Sequence, residues 1–374
     1  MWLILGVVII ALILIKVVWV WCATSEHGSW DGEKEDIIKR ANYLAKNVIV
    51  PPQTLVNGMP EILGDQFKGE WAIYTCSMSC AAFANIALLY PQNKEMSLKY
   101  IAKIIDIAMS EEIREYDTAR WGEDPLDGIY GDLSHISYYS HLAWMISAYK
   151  QIGGDKKYDF MYSTLCEAMN KRIRQSPILN VSTYPGEYIY IPDMLVAIVA
   201  LANYSRQFNG EYDGTVRMWI ERAKNEWLNK ETGLLVSFLP PDDLLKGSYS
   251  ALNCYYLTFI DEEFARDQYE KLKKHFLQNW PVLGFKEYYD RSCWFGVDVD
   301  AGPVILNLSS SGTGFALGPA TYFQDSDVRK GLLKTAETVL TSLSWFNQSH
   351  YMLLNSVLVG DAIMLAMRTS VKWE

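Results

Sequence analysis

Arg120-Trp-Gly-Glu-Asp-Pro-Leu-Asp-Gly-Ile-Tyr-Gly-Asp-Leu-Ser-His-Ile-Ser-Tyr-Tyr-Ser-His141 runs from a polar loop rich in glycine and carboxylates into a helix of aromatics and histidines. The rest of the chain repeats this plan. Loops carrying Asp, Glu, Gly and Pro lead into segments apolar almost all round, and these return through short turns to amphipathic, charged segments. The periodicity predicts helices over residues 33–47, 67–90, 94–109, 133–152, 158–174, 188–206, 213–228, 248–260, 262–279, 301–323, 326–343 and 349–367. Helices apolar on every face belong inside and those with one charged face outside. Twelve helices alternating in this way predict an all-α fold, an (α/α)6 toroid of six helical hairpins.

The connections point the same way. Turns from an apolar helix to the next charged one are short, as at Ile152-Gly-Gly-Asp155 and Ile260-Asp261. The returns are long, over residues 48–66, 110–132, 175–187, 229–247 and 280–300, with a short strand expected at Leu234–Leu239. Long loops gathered at one end of a rigid scaffold are where binding residues collect.

Ahead of this domain, residues 1–23 form an apolar run interrupted only by Lys16. Its length suits a transmembrane helix across a hydrocarbon core of about 30 Å. No basic residue precedes it and no small-residue cleavage site lies near Cys22, so an anchor is favoured over a cleaved signal. Trp19 and Trp21 would sit at the interface. Residues 24–32 form a linker and residues 33–374 the toroid domain. Lys34, Lys39 and Arg40 are balanced by acids on the same flank; the expected placement is single-pass, with the domain on the extracytoplasmic side.

Of 374 residues half are hydrophobic, and the net charge is −10, so no basic surface is available for nucleic acid. A small-molecule substrate, the membrane and a homo-oligomeric copy are the expected partners, with no cofactor and no metal. Six cysteines have no CxxC spacing; Cys76 and Cys80 share a helix face but lack a matching pair, and buried packing is the simpler account.

The first turns of the inner helices supply the candidate chemistry. They bring Tyr74; Asp132, His135 and His141; Glu187, Tyr188 and Asp193; Ser248 and Tyr249; and Asp298 and Asp300. Tyr184-Pro-Gly-Glu-Tyr-Ile-Tyr-Ile-Pro-Asp193 is the strongest local candidate. Glu187 and Asp193 frame a helix start, where one carboxyl in an apolar setting would rise in pKa and donate a proton while the other stays ionised. The plainer alternative is that Asp193 caps the helix after Pro192. His141 and His135 could be hydrogen-bonded core residues. Asp298 and Asp300, two apart, would point the same way from an extended segment.

From about Phe67 to Thr321 the chain resembles the linalool dehydratase/isomerase family of α/α-barrel proteins. The resemblance is carried by Trp71-Ala-Ile-Tyr74, Ala87-Leu-Leu-Tyr-Pro91, Trp121-Gly-Glu-Asp-Pro125, His141-Leu142, Tyr149, Gly154, Tyr184-Pro-Gly-Glu-Tyr188, Thr232-Gly-Leu234 and Asp298-Val-Asp-Ala-Gly-Pro303. It implies a ring-shaped oligomer whose largely apolar pockets bind a terpene alcohol and drive loss or migration of its hydroxyl without a cofactor. The family's pocket tyrosine falls on Tyr74 and its histidine on His141. Its two pocket cysteines fall on Thr183 and Pro192, and the acid it supplies before the first ring helix has no clear match. Acid and base are therefore expected from Glu187, Asp193 or Asp300, with His141 and Tyr74 orienting the hydroxyl. Asp298, Thr183, Tyr188, His135 and Tyr249 are expected around the substrate. A glycoside hydrolase or lyase using paired carboxylates, with tyrosine and tryptophan stacking on sugar rings, is an alternative. A non-catalytic binding module whose carboxylates are all consumed by caps and salt bridges is another.

Overall fold

Helices that are apolar on every face have none to leave in water, so their packing partners decide the architecture. The computed structural model describes residues 30–60, 64, 67–240, 244–353 and 358–374, with scattered positions between 6 and 20. Over these residues the protein is mostly helical, with small antiparallel sheets in the connections. In chain order the helices begin with α1 (Trp30–Val48), α2 (Pro52–Asn57), α3 (Lys68–Leu89), α4 (Lys94–Ala108) and α5 (Glu111–Trp121). Next come α6 (Ile136–Gln151), α7 (Asp159–Gln175), α8 (Ile191–Gln207), α9 (Asp213–Glu226) and α10 (Gly247–Leu257). The last are α11 (Glu262–Phe276), α12 (Ser310–Tyr322), α13 (Ser326–Val339) and α14 (Leu358–Arg368).

Burial separates two sets. In α3, α6, α8, α10 and α14 nearly every residue beyond the first turn is buried, and α12 is buried from Phe315 to Thr321. Among the described residues α3 packs on α6, α6 on α8, α8 on α10, α10 on α12, α12 on α14, and α14 returns to α3. Outside them α4 lies on α3, α7 on α6 and α8, α9 on α8, α11 on α10, α13 on α12, and α1 on α14 and α3.

The return of the last helix to the first is held by buried charge. Glu33 of α1 is 1% exposed and accepts from Arg329 at 2.6 and 2.9 Å and from Arg368 at 2.7 Å. Asp36, one turn on, bonds Arg40 and Arg368. Buried ions cost several kcal/mol each unless paired in this way, so losing one partner is expensive. Trp373 adds a neutral tie, its indole N–H donating to Asn85 of α3 at 2.8 Å.

Local chemistry fixes the helix ends. Gly122, at φ 74°, takes the left-handed position that stops α5. Asp261, Ser309 and Asp325 accept from the backbone N–H three residues on and start α11, α12 and α13. Gly247 opens α10 because a Cβ there would lie 1.9 Å from the Lys286 carbonyl oxygen.

Several boundaries differ from the sequence expectation. The helix expected from residue 301 begins at Ser310, because Gly302 at φ 63° and Pro303 without an N–H interrupt it. That segment instead forms a three-stranded antiparallel meander of β5 (Phe295–Asp298), β6 (Gly302–Ile305) and β7 (Leu308–Ser309). It follows four short strands: β1 (Ile189–Tyr190) pairs with β2 (Phe238–Leu239), and β3 (Leu277–Gln278) with β4 (Gly284–Phe285). The strand expected over 234–239 is thus its last two residues. The helix expected from residue 349 starts at Leu358, after the hairpin β8 (Ser342–Trp345) and β9 (Gln348–Tyr351). The stretch 110–132, expected to be loop, holds α5, whose Ile113, Tyr116 and Asp117 are buried.

The expected anchor, with Trp19 and Trp21, lies largely outside the described residues. Among the described residues one helix, Lys68–Leu89, is long and apolar enough to cross a membrane. It is α3, mostly buried within the protein.

Candidate active site

The first turns of α3 and α8 meet beside the β5–β7 meander, and between them lies a cavity of about 730 Å³. That is the size of pockets taking drug-sized ligands, about 300–1,000 Å³. Glu70, Tyr74, Tyr184, Asp193, Tyr249 and Asp300 form a polar group in its lining. Leu308, Leu332, Ala336, Leu340, Ile363 and Met364 give it hydrocarbon wall.

Of the residues singled out from sequence, Tyr74, Asp193, Glu187, Asp300 and Tyr249 line this cavity. Asp193 sits in the first turn of α8, started by Pro192 with its pre-set φ. Its Oδ2 accepts from Thr183 at 2.8 Å. Burial pushes the Asp193 carboxyl up to about 7, with Asp300 adding repulsion against the Thr183 and Tyr74 hydrogen bonds. It is not the cap: Tyr190 occupies that position, and no side chain caps α8.

The partner carboxyl is Glu70, which the sequence reading missed. It lies one helical turn before Tyr74 on α3, on the same face. Burial pushes it up to about 8, and the neighbouring Asp193 charge raises it further against a hydrogen bond from Tyr184. Glu70 Oε2 has no hydrogen-bond partner among the described residues. Two like carboxyls this close cannot both ionise cheaply, so between the two values one holds a proton while the other is charged. The Tyr74 hydroxyl, its pKa raised by burial and by Asp193, stays protonated beside them.

Glu187, expected to be that second carboxyl, is placed differently. It is 40% exposed, paired to Arg120 at 3.1 Å, and accepts from Tyr190 at 3.0 Å. Arg120 in turn lies 4.1 Å from the centre of the Tyr184 ring. This group forms part of the cavity wall. Asp298 and Asp300 do point the same way, because both clamp Lys246, at 2.8 and 2.7 Å. Burial would raise Asp298, but Lys246 more than offsets it and holds the carboxyl below its ordinary value. Asp300 reaches the cavity and Asp298 does not.

His141 stands behind the wall. It is fully buried, bonds Ser77 Oγ at 2.9 Å through Nδ1, and lies with its ring 4.3 Å from that of Tyr74. Burial lowers its pKa to about 3, so the imidazole is neutral and props Tyr74. Thr183 likewise acts through Asp193. His135, at φ 46° before α6, is buried against Asp117 and 3.7 Å from Glu123, away from the cavity. Tyr188 is half exposed against Phe238 and does not line the cavity. Glu287, also pushed up to about 7 by burial, is spent on Ser248 at the start of α10, at 3.1 Å to N and 2.9 Å to Oγ.

Cys76 and Cys80 are fully buried on α3, and burial pushes both thiols up, Cys76 to about 12. Among the described residues no three His, Cys, Asp or Glu side chains are grouped to hold a metal ion. The chain matches no protein-family model and no curated protein.

Proposed function

We propose that the chain is a membrane-anchored (α/α)6 toroid related to the linalool dehydratase/isomerases, performing cofactor-independent elimination or isomerisation on a hydroxylated small molecule. The closed succession α3–α6–α8–α10–α12–α14, each with a charged helix outside it, supports the toroid reading. The apolar run at residues 1–23 supports the anchor and a single-pass protein with an extracytoplasmic domain. A homo-oligomer, as the family resemblance implies, belongs to the same reading.

The observation that carries the chemistry is the pair Glu70 and Asp193, both raised to near neutral, in a cavity whose lining is largely apolar. The protonated carboxyl donates to the hydroxyl oxygen, and the C–O bond breaks with its electron pair leaving as water. The ionised carboxyl takes a proton from the adjacent carbon, and that C–H pair becomes the double bond. One carboxyl has lost a proton and the other gained one, and exchange between neighbours restores the start. Tyr74 holds the hydroxyl, and neutral His141 fixes Tyr74. Each positioned acid or base contributes about 10² to 10⁴ in rate.

The apolar lining supports an alcohol over the sugar of the paired-carboxylate alternative. A binding module would have its carboxylates consumed; Asp298, Asp300 and Glu187 are, whereas Glu70 and Asp193 have no cationic partner among the described ion pairs. The test is product analysis on a panel of allylic and tertiary alcohols. Asp193→Asn is expected to abolish alkene formation from any responsive alcohol, and unchanged turnover removes the proposal.

A further inference from the structure

Exposed apolar groups border the cavity. On the meander, Phe295 lies opposite Ile305 and Val297 opposite Pro303, so these four side chains share one face, and all are exposed. Pro303 and Ile305 also line the cavity. On the other side Val339 and Leu340 line it, and the chain then leaves as the β8–β9 hairpin. At the hairpin's tip Trp345 is 75% and Phe346 87% exposed. Between them, Lys16 of the N-terminal apolar run donates to Thr341 Oγ1.

These features share a physical account. A face of this size and apolarity in water marks an interaction surface. Lys16 is tied to the residue beside Leu340, which places this part of the apolar run next to the rim. Its neighbours Leu14, Ile15 and Val18 are exposed as well. Aromatic side chains on a protruding hairpin suit the boundary between headgroups and acyl chains. The cavity's lining residues at this rim, Pro303, Ile305, Val339 and Leu340, are all apolar.

We propose that this rim is seated in a lipid bilayer, and that the cavity loads from it a membrane-dissolved hydrocarbon amphiphile carrying a single hydroxyl. The hydroxyl passes to Glu70 and Asp193 while the tail trails past Leu340 and Ile305 toward the lipid. The identity of the ligand's head rests on the acid/base reading above; the seating of the rim does not.

The test uses the full chain in phosphatidylcholine vesicles, with and without bromine on the acyl chains, and reads tryptophan emission. The difference between wild type and Trp345→Phe isolates one indole, and brominated lipid is expected to quench it. Glu70→Gln leaves this quenching in place, so failure of the proton chemistry and failure of the docking are told apart. An unquenched Trp345 overturns the proposal. So does sedimentation of a detergent-solubilised dimer that Phe346→Ser dissociates, since a second copy would then cover the rim. A long-chain allylic alcohol dissolved in the vesicles is expected to load more slowly into Trp345→Ser/Phe346→Ser, while a short soluble alcohol loads unchanged. Equal effects on both overturn loading from the bilayer.

Discussion

Replacing Glu70 by Gln separates a proton donor from a packing residue, because the two roles predict opposite changes in stability. The carboxyl holds its proton to about pH 8 in the folded protein, against an ordinary 4.5. The folded state therefore binds this proton more tightly than the unfolded chain. The associated stability is fully present below about pH 4.5 and is lost as pH rises through about 8. Each tenfold change in proton affinity is worth about 1.4 kcal/mol, so the full shift approaches 5 kcal/mol. Water in the cavity and proton sharing with Asp193 reduce this to about 2 kcal/mol. Gln keeps the shape without the charge, so at pH 9 the variant should be more stable than wild type by about that amount, a few degrees in Tm. At pH 5 the two should melt together. Turnover should fall by about 10² to 10⁴, or about 2.7 to 5.5 kcal/mol of transition-state stabilisation. Circular dichroism melts at the two pH values and product yield at pH 7.5 give both readouts. A variant that melts lower at pH 9, or that keeps turnover within about threefold of wild type, would falsify the assignment.

Turnover should follow a bell with its maximum between about pH 7 and 8, falling on the acid side as Asp193 takes up its proton and on the alkaline side as Glu70 loses its own; a rate flat from pH 5 to 9 contradicts the pair. Lys246→Met should leave Asp298 and Asp300 repelling each other and cost about 2–3 kcal/mol in urea unfolding, with Tyr249 losing the ammonium 5.1 Å from its ring; unchanged stability at neutral pH would show the clamp contributes nothing. Arg368→Leu removes one of two cations from buried Glu33 and should cost about 3–5 kcal/mol; a urea midpoint equal to wild type would mean α1 and α14 are joined by apolar packing alone.

The alternation of apolar and charged helices was legible because a helix buried on all faces leaves no ambiguity about where it goes. Where strands replaced helices, composition misled. The segments expected as inner helices from residues 301 and 349 are apolar enough for that place, but their first residues form strands that the helix period does not record. Gly302-Pro303 was a visible warning. Residues 110–132 were misread the other way: Glu111–Trp121 is highly charged, and only three buried positions give it a core-facing stripe.

Site residues divided along the same physical line. Asp193 and Tyr74 could be located because a helix start beside proline and an aromatic in the first turns of an apolar helix both lie near the loops, where the cavity is found. Glu70 was passed over because an acid in the first turn of a helix has an ordinary explanation in the helix dipole. What separates it from the acidic first turn of α11 is the neighbourhood: Glu262 and Glu263 face solvent, whereas Glu70 precedes Trp71 and Tyr74 on a helix most of whose residues are buried. Glu187 drew attention for the opposite reason, being the carboxylate nearest Asp193 in sequence. Proximity along the chain does not create a shared dielectric. The acid that couples to Asp193 comes from more than a hundred residues earlier, brought there because α3 and α8 both flank α6. A carboxylate is therefore a stronger catalytic candidate when its helix is mostly buried than when it merely adjoins another acid.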